Sequence, residues 1–126
     1  MTAIPKANPA IRVDVCAPGV PCGTYSTTTF GRAGVRVTPV SQEQDVKSVL
    51  TKVGLGEADA GIVYRTDAIT SKDVHTIEIP ARLNVEAAYP IAVLLRTAEP
   101  ALAAQFVALV RSPAAREELA RHGFSP

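Results

Sequence analysis

Neither sign of charge prevails in this 126-residue chain, which has thirteen Lys and Arg against twelve Asp and Glu, and aromatic residues make up only 5%. With no basic block to accompany them, the electrostatic and stacking footprint of a nucleic-acid binder is missing. No apolar run reaches the roughly 18 residues that mark a bilayer-spanning helix. The opening residues, Met1-Thr2-Ala3-Ile4-Pro5-Lys6, lack the apolar centre of a secretion signal. Also missing are a phosphate loop of the GKS type, a Ser/His/Asp nucleophile set and any internal repeat. Glu57, Asp59, Asp67 and Asp73 punctuate loops instead of forming an acid/base pair, and His75 and His122 read as solvated surface residues. Catalysis is therefore not expected.

Cysteine is scarce. Cys16 and Cys22 stand six positions apart around the turn-rich Ala17-Pro18-Gly19-Val20-Pro21. Such a loop allows a disulfide, while two buried thiols are the other reading. Zinc is disfavoured, because neither His75 nor His122 sits at ligand spacing from the cysteines.

What the chain does contain, at 47% hydrophobic residues, suffices for one core. Ile11, Val13 and Val15 read as a strand, followed by a short Thr-rich helix over 25–30 that ends at Gly31 and Gly34. Residues 35–40 alternate like a second strand. Val46, Val49, Leu50 and Val53 fall at i, i+3, i+4 and i+7 and line one helix face. Residues 58–64, 74–79 and 87–95 are three further apolar runs, the last interrupted by Pro90. Two helices close the chain, over 99–111 with Leu102, Phe106, Leu109 and Val110 on one stripe, and over 113–122 with proline at its first turn. The order β-α-β-α-β-β-β-α-α predicts an α/β three-layer sandwich with a mostly parallel sheet, which binds ligands beyond the C-terminal ends of its strands.

Two segments fall at that edge. Val20-Pro21-Cys22-Gly23-Thr24-Tyr25 follows the first strand and opens a helix, where free N–H groups favour an oxyanion. Gly61-Ile62-Val63-Tyr64 ends the third strand, so the Tyr64 hydroxyl is placed to reach across the rim toward the same helix start. Gly61 itself reads as a close-approach glycine.

These segments, with Gln44-Asp45-Val46, Gly56-Glu57-Ala58-Asp59-Ala60, Tyr89-Pro90-Ile91-Ala92-Val93-Leu94 and Gly123-Phe124 in the same order, resemble the molybdate-binding proteins of bacterial ABC transporters. The resemblance runs from about Ala7 to the last residue, and covers only the second half of that two-lobed periplasmic family. It implies a second lobe over residues 7–88, then a return strand and helices over 89–126 that pack on a first lobe this chain does not contain. It also implies a molybdate or tungstate ligand with no cofactor, and no metal held directly. The implied donors are the backbone N–H of Cys22, the backbone N–H of Val46 and the phenol of Tyr64. A membrane permease is the implied partner, and an extracytoplasmic location suits the Cys16–Cys22 pairing. Two other outcomes stay open: the sensing core of a transcription regulator with the same fold, and an isolated lobe without useful anion affinity. An apolar face of Leu102, Phe106, Leu109 and Val110, left bare, would favour self-association.

One local signal opposes the mapping. Ser41-Gln42-Glu43-Gln44 has the form of a capping box, and a helix capped by Ser41 would commit the Val46 N–H to the Gln42 carbonyl. The resemblance instead requires a helix start nearer Gln44, with 41–43 in a loop.

Overall fold

The apolar run after Arg12 forms the first strand, β1 (Val13–Cys16), whose last three residues are buried. The structure is a computed structural model describing residues 10–125, and these divide into two units, with the boundary between Glu86 and Ala87. In the first unit β1 lies between β2 (Ser41–Glu43) and β3 (Ala60–Gly61), both parallel to it. Helix α1 (Pro21–Ala33) connects β1 to β2, and α2 (Val46–Gly54) connects β2 to β3. Parallel strands joined by helices place both helix starts at one edge of the sheet, beyond the strand C-termini. This is the α/β class expected from the alternation of elements.

Helix α1 extends well past the expected 25–30. Pro21 occupies its first turn, where a missing N–H costs nothing. The hydroxyls of Ser26, Thr27 and Thr28 donate to the carbonyls of Cys22, Gly23 and Thr24 at 2.7, 2.9 and 2.9 Å. Those local bonds satisfy the groups that otherwise compete with the helix backbone. Gly31 is inside the helix, and the stop comes from Gly34, whose left-handed φ of 63° suits a residue without Cβ.

The second strand also differs from expectation. Residues 35–40 do not form it, and the polar Ser41–Glu43 does, because the choice is made by pairing with β1: Val40 N donates to Val13 O at 2.9 Å and Ala17 N to Glu43 O at 2.7 Å. Lys52 of α2 secures this edge strand, with its Nζ 3.0 Å from Ser41 Oγ and 2.6 Å from Glu43 Oε1. On the other side Arg12 and Asp59 lock β1 to the approach of β3. The Arg12 backbone N–H donates to Asp59 Oδ2 at 2.7 Å and its guanidinium to Oδ1 at 2.8 Å. Val49 of α2 is fully buried, and a Cβ at Gly61 would come within 2.6 Å of its Cγ1. Gly61 is thus the close-approach glycine that lets α2 lie on the sheet.

A short helix α3 (Arg65–Ala68) follows β3, where none was expected. Residues 74–79 and 87–95 form no strand among the described residues. An apolar run becomes a strand only where another strand offers its edge. The second unit holds α4 (Pro100–Val110) and α5 (Pro113–Arg121), close to the expected 99–111 and 113–122. Both begin with proline in the first turn, and Ser112 caps α5 by accepting from the Ala115 N–H at 3.2 Å. Within this unit Tyr89 meets Phe124 edge-on, and Leu102, Phe106 and Leu109 are exposed while Val110 is half-buried.

Candidate functional site

The start of α1 carries no side-chain cap. Its N-cap is Val20, in extended conformation, and the Gly23 and Thr24 N–H groups both donate to the Val20 carbonyl, at 3.0 and 3.1 Å. Pro21 has no N–H, so the Cys22 amide is the donor that helix geometry leaves over, and it has no acceptor among the described residues.

Its position is set by two constraints. The thiols are joined as a Cys16–Cys22 disulfide, with Cα atoms 5.6 Å apart, tying the last residue of β1 to the second of α1. The turn between them folds tightly over the helix: a Cβ on Gly23 would lie 1.9 Å from the Ala17 carbonyl oxygen. Only glycine fits there.

The start of α2 decides the question raised by the capping-box pattern. The N-cap is Asp45, whose carboxylate accepts from the Ser48 N–H at 2.9 Å and the Ser48 hydroxyl at 3.0 Å. These bonds hold the Asp45 carboxyl below the usual carboxylate range. Ser41 is not a cap: it lies in β2 and bonds Glu43, so 41–43 is neither the helix start of one expectation nor the loop of the other. The helix begins at Val46, later than Gln44, and the Val46 N–H is left without an acceptor among the described residues.

Tyr64 is the N-cap residue of α3, beyond the paired part of β3. Its ring stands edge-on to that of Tyr25, with centroids 6.2 Å apart. Cys16, Cys22 and Val49 form a buried cluster, against which Val20, Val46, Val63 and Tyr64 pack. The three residues singled out in the sequence, Cys22, Val46 and Tyr64, thus meet around one small apolar knot at the C-terminal edge of the sheet.

Sequence reasoning missed three features of this unit. Tyr25, given no role there, is the ring partner of Tyr64. Lys47 and Asp67 pair across α2 and α3 at 2.9 Å, although Asp67 read as loop punctuation. Asp14 is fully buried in β1 with neither carboxylate oxygen hydrogen-bonded among the described residues, and burial first, then Glu43, push its pKa up while Lys52 and the neighbouring Val15 backbone N–H oppose them. The signal for Asp14 was a charged residue inside an apolar run. His75 and His122 are exposed, as expected.

An adjoining hollow of about 110 Å³, lined by Val15, Cys16, Pro18, Gly23, Ser26, Phe30 and others, has no charged side chain in its wall. No group of three His, Cys, Asp or Glu residues among the described residues could hold a metal ion. The arrangement at the sheet edge brings two first-turn amides without an acceptor among the described residues, backed by the partial positive charge of two helix starts, beside the ring of Tyr64.

Residues 6–125 match a family model described as bacterial extracellular solute-binding protein. The molybdate-binding protein ModA of Mycobacterium tuberculosis (strain ATCC 25618 / H37Rv) is 44% identical over 119 residues, covering 94% of this chain and 46% of that protein. ModA of Escherichia coli (strain K12) is 31% identical over 110 residues, covering 84% of this chain and 42% of that protein. ModA of Haemophilus influenzae (strain ATCC 51907 / DSM 11121 / KW20 / Rd) is also 31% identical over 110 residues, covering 84% and 43%. The chain therefore spans a little under half the length of these relatives. No solved structure gives a significant match. With a family match across nearly its whole length, the chain belongs to the bacterial extracellular solute-binding proteins.

Proposed function

We propose that this chain is the second, anion-holding lobe of the solute-binding component of a molybdate or tungstate importer, working outside the cytoplasm and delivering its ligand to a membrane permease. The observation that carries the reading is the pair of first-turn amides, Cys22 N–H and Val46 N–H, both without a protein acceptor among the described residues and both beside Tyr64 on one cluster. The similarity to molybdate-binding proteins supplies the ligand class.

The chemistry follows from the donors. A tetrahedral dianion is held by converging dipoles without a full counter-charge, since helix starts contribute partial positive charge and cost no reorganisation. A lining that only donates suits a fully deprotonated oxyanion and disfavours protonated phosphate, whose O–H would find no acceptor. Cavity size would separate molybdate and tungstate from the smaller sulfate.

On this reading residues 7–88 form the lobe, and 89–126 return toward a first lobe that supplies the remaining donors. The exposed Leu102, Phe106 and Leu109 favour that view of 89–126, because an apolar helix face of this kind has something to cover it in the working protein. The chain by itself should then bind weakly. Calorimetric titration with molybdate, sulfate serving as control, is expected to give a millimolar, molybdate-selective constant. A hydrogen bond to a charged group contributes about 1.5–3 kcal/mol, so Tyr64→Phe should weaken binding roughly tenfold or more. Equal binding of sulfate and molybdate, or an unchanged constant in Tyr64→Phe, would overturn the assignment.

A further inference from the structure

The two elements that bring Val46 and Tyr64 to the site are joined by an ion pair. Lys47, the residue after Val46 in α2, places its Nζ 2.9 Å from Oδ1 of Asp67 in α3, and the Asp67 side chain is only 13% exposed. Asp67 is in turn bound to Tyr64, since its backbone N–H donates to the Tyr64 carbonyl at 3.0 Å. A continuous path therefore runs from Val46 through Lys47 and Asp67 to Tyr64. It crosses between the two elements through the ion pair.

Charge adds a second consequence. Lys47 is the one cation in the first turn of α2, directly beside an amide that faces an anion on the reading above. A free ammonium at that place would attract any anion, with little regard for its size. Asp67 cancels it.

We infer that Lys47 and Asp67 are positioning residues, which set the Val46 amide against Tyr64 and neutralise the neighbouring cation, so that the anion is selected by shape and not by charge. The inference rests on the proposed oxyanion site and deepens it. Two effects are separable. Lys47→Met strands a largely buried carboxylate next to the site, which should repel the ligand. Asp67→Asn frees the cation, which should raise sulfate affinity more than molybdate affinity.

The test is an amide NMR titration of the 126-residue chain with sodium molybdate and with sodium sulfate, following Cys22 and Val46 separately. In the unaltered chain both amides should shift with molybdate in the millimolar range. Lys47→Met should lower the apparent molybdate affinity roughly fivefold, as expected when one partner of a part-buried pair is removed. The loss should be larger at Val46 than at Cys22, because α1 is anchored independently by the disulfide. Asp67→Asn should cut the molybdate-to-sulfate ratio severalfold and make sulfate binding more salt-sensitive. The double variant should recover part of the Lys47→Met loss, and Lys47→Arg should restore most of it, which a merely unfolded variant would not do.

If the unaltered chain shifts at both amides while single and double variants behave additively, with the ratio unchanged, this inference falls and the proposed site stands. If the unaltered chain shows no shift at either amide, the proposed site falls and takes this inference with it.

Discussion

The two units of the chain use similar building material and reach different ends. Among the described residues every buried one, from Asp14 to Ala68, lies in the first unit, where a parallel sheet, a disulfide and a helix-on-sheet contact close around Val49. The second unit has none, although α4 is the more apolar helix: Leu102, Phe106 and Leu109 are more than half exposed and Leu95 almost wholly so. Apolar content alone does not make a core. A sheet supplies non-local partners on both faces, whereas a helix pair buries only the stripe along which its members touch. The first unit closes a core of its own, and the second leaves most of its apolar helix face exposed.

The largest change to this contrast should come from opening the disulfide. Replacing Cys16 and Cys22 together by alanine removes a short cross-link, for which chain entropy predicts a loss of about 2 kcal/mol. Denaturant unfolding combined with hydrogen exchange should show the loss across β1, α1 and β2, with α4 and α5 amides unchanged. Exchange rising equally in both units would mean that they unfold as one.

A smaller effect, opposite in sign, is expected at Asp14. Its carboxyl titrates above the usual range in the folded chain, so the native state keeps this proton to higher pH than the unfolded state does. Stability linked to Asp14 is accordingly greatest in acid and falls as pH rises from about 4 through the raised pKa. Glu43, Asp45 and Asp59 act in the other direction: their folded pKa values are lowered, and what they contribute at neutral pH is lost on acidification. Asp14→Val replaces a buried carboxylate that has no hydrogen bond among the described residues and should stabilise the first unit by about 1–2 kcal/mol at pH 7. The gain should shrink as the pH approaches 4. A destabilised variant at neutral pH would show that Asp14 has a partner in solution that compensates its burial.

The smallest effect on stability should come from the second unit. Phe106→Ser on the exposed face of α4 should change unfolding free energy by no more than about 0.5 kcal/mol, as for most surface substitutions. The same change should lower the average mass measured by sedimentation at high concentration, if the bare face joins copies of the chain. An unchanged mass would remove the case for self-association through this face.

Elements whose signals are local were legible in the sequence. The i, i+3, i+4, i+7 stripe of Val46, Val49, Leu50 and Val53 gave α2, while the stripe of Leu102, Phe106, Leu109 and Val110 and the first-turn Pro113 marked α4 and α5 to within about a residue or two. The missed strand is instructive for the opposite reason. Val35-Arg36-Val37 has better strand propensity than Ser41-Gln42-Glu43, yet β2 is the latter, because register with β1 and the reach of Lys52 outweigh local preference. Of the candidate site, the segment from Val20 to Tyr25 and the strand-end Tyr64 were legible as residue types, while Val46 entered only through the family resemblance. Which residue caps α2 was not legible, since Ser41 and Asp45 are both good caps and only the strand pairing of Ser41 removes it from the competition.

By itself the sequence determined the α/β class, the close-approach glycine at Gly61 and the apolar stripe of α4, because spacing, composition and turn chemistry act over a few residues. Only the tertiary structure decided that Cys16 and Cys22 are bonded and that the polar Ser41–Glu43 is a strand. It alone buried Asp14 with no hydrogen bond to its carboxylate among the described residues and paired Lys47 with Asp67 between the elements that carry Val46 and Tyr64. Each of these depends on groups distant along the chain being brought within a few ångströms, and the strength of a hydrogen bond or an ion pair is set by that distance and by the burial around it.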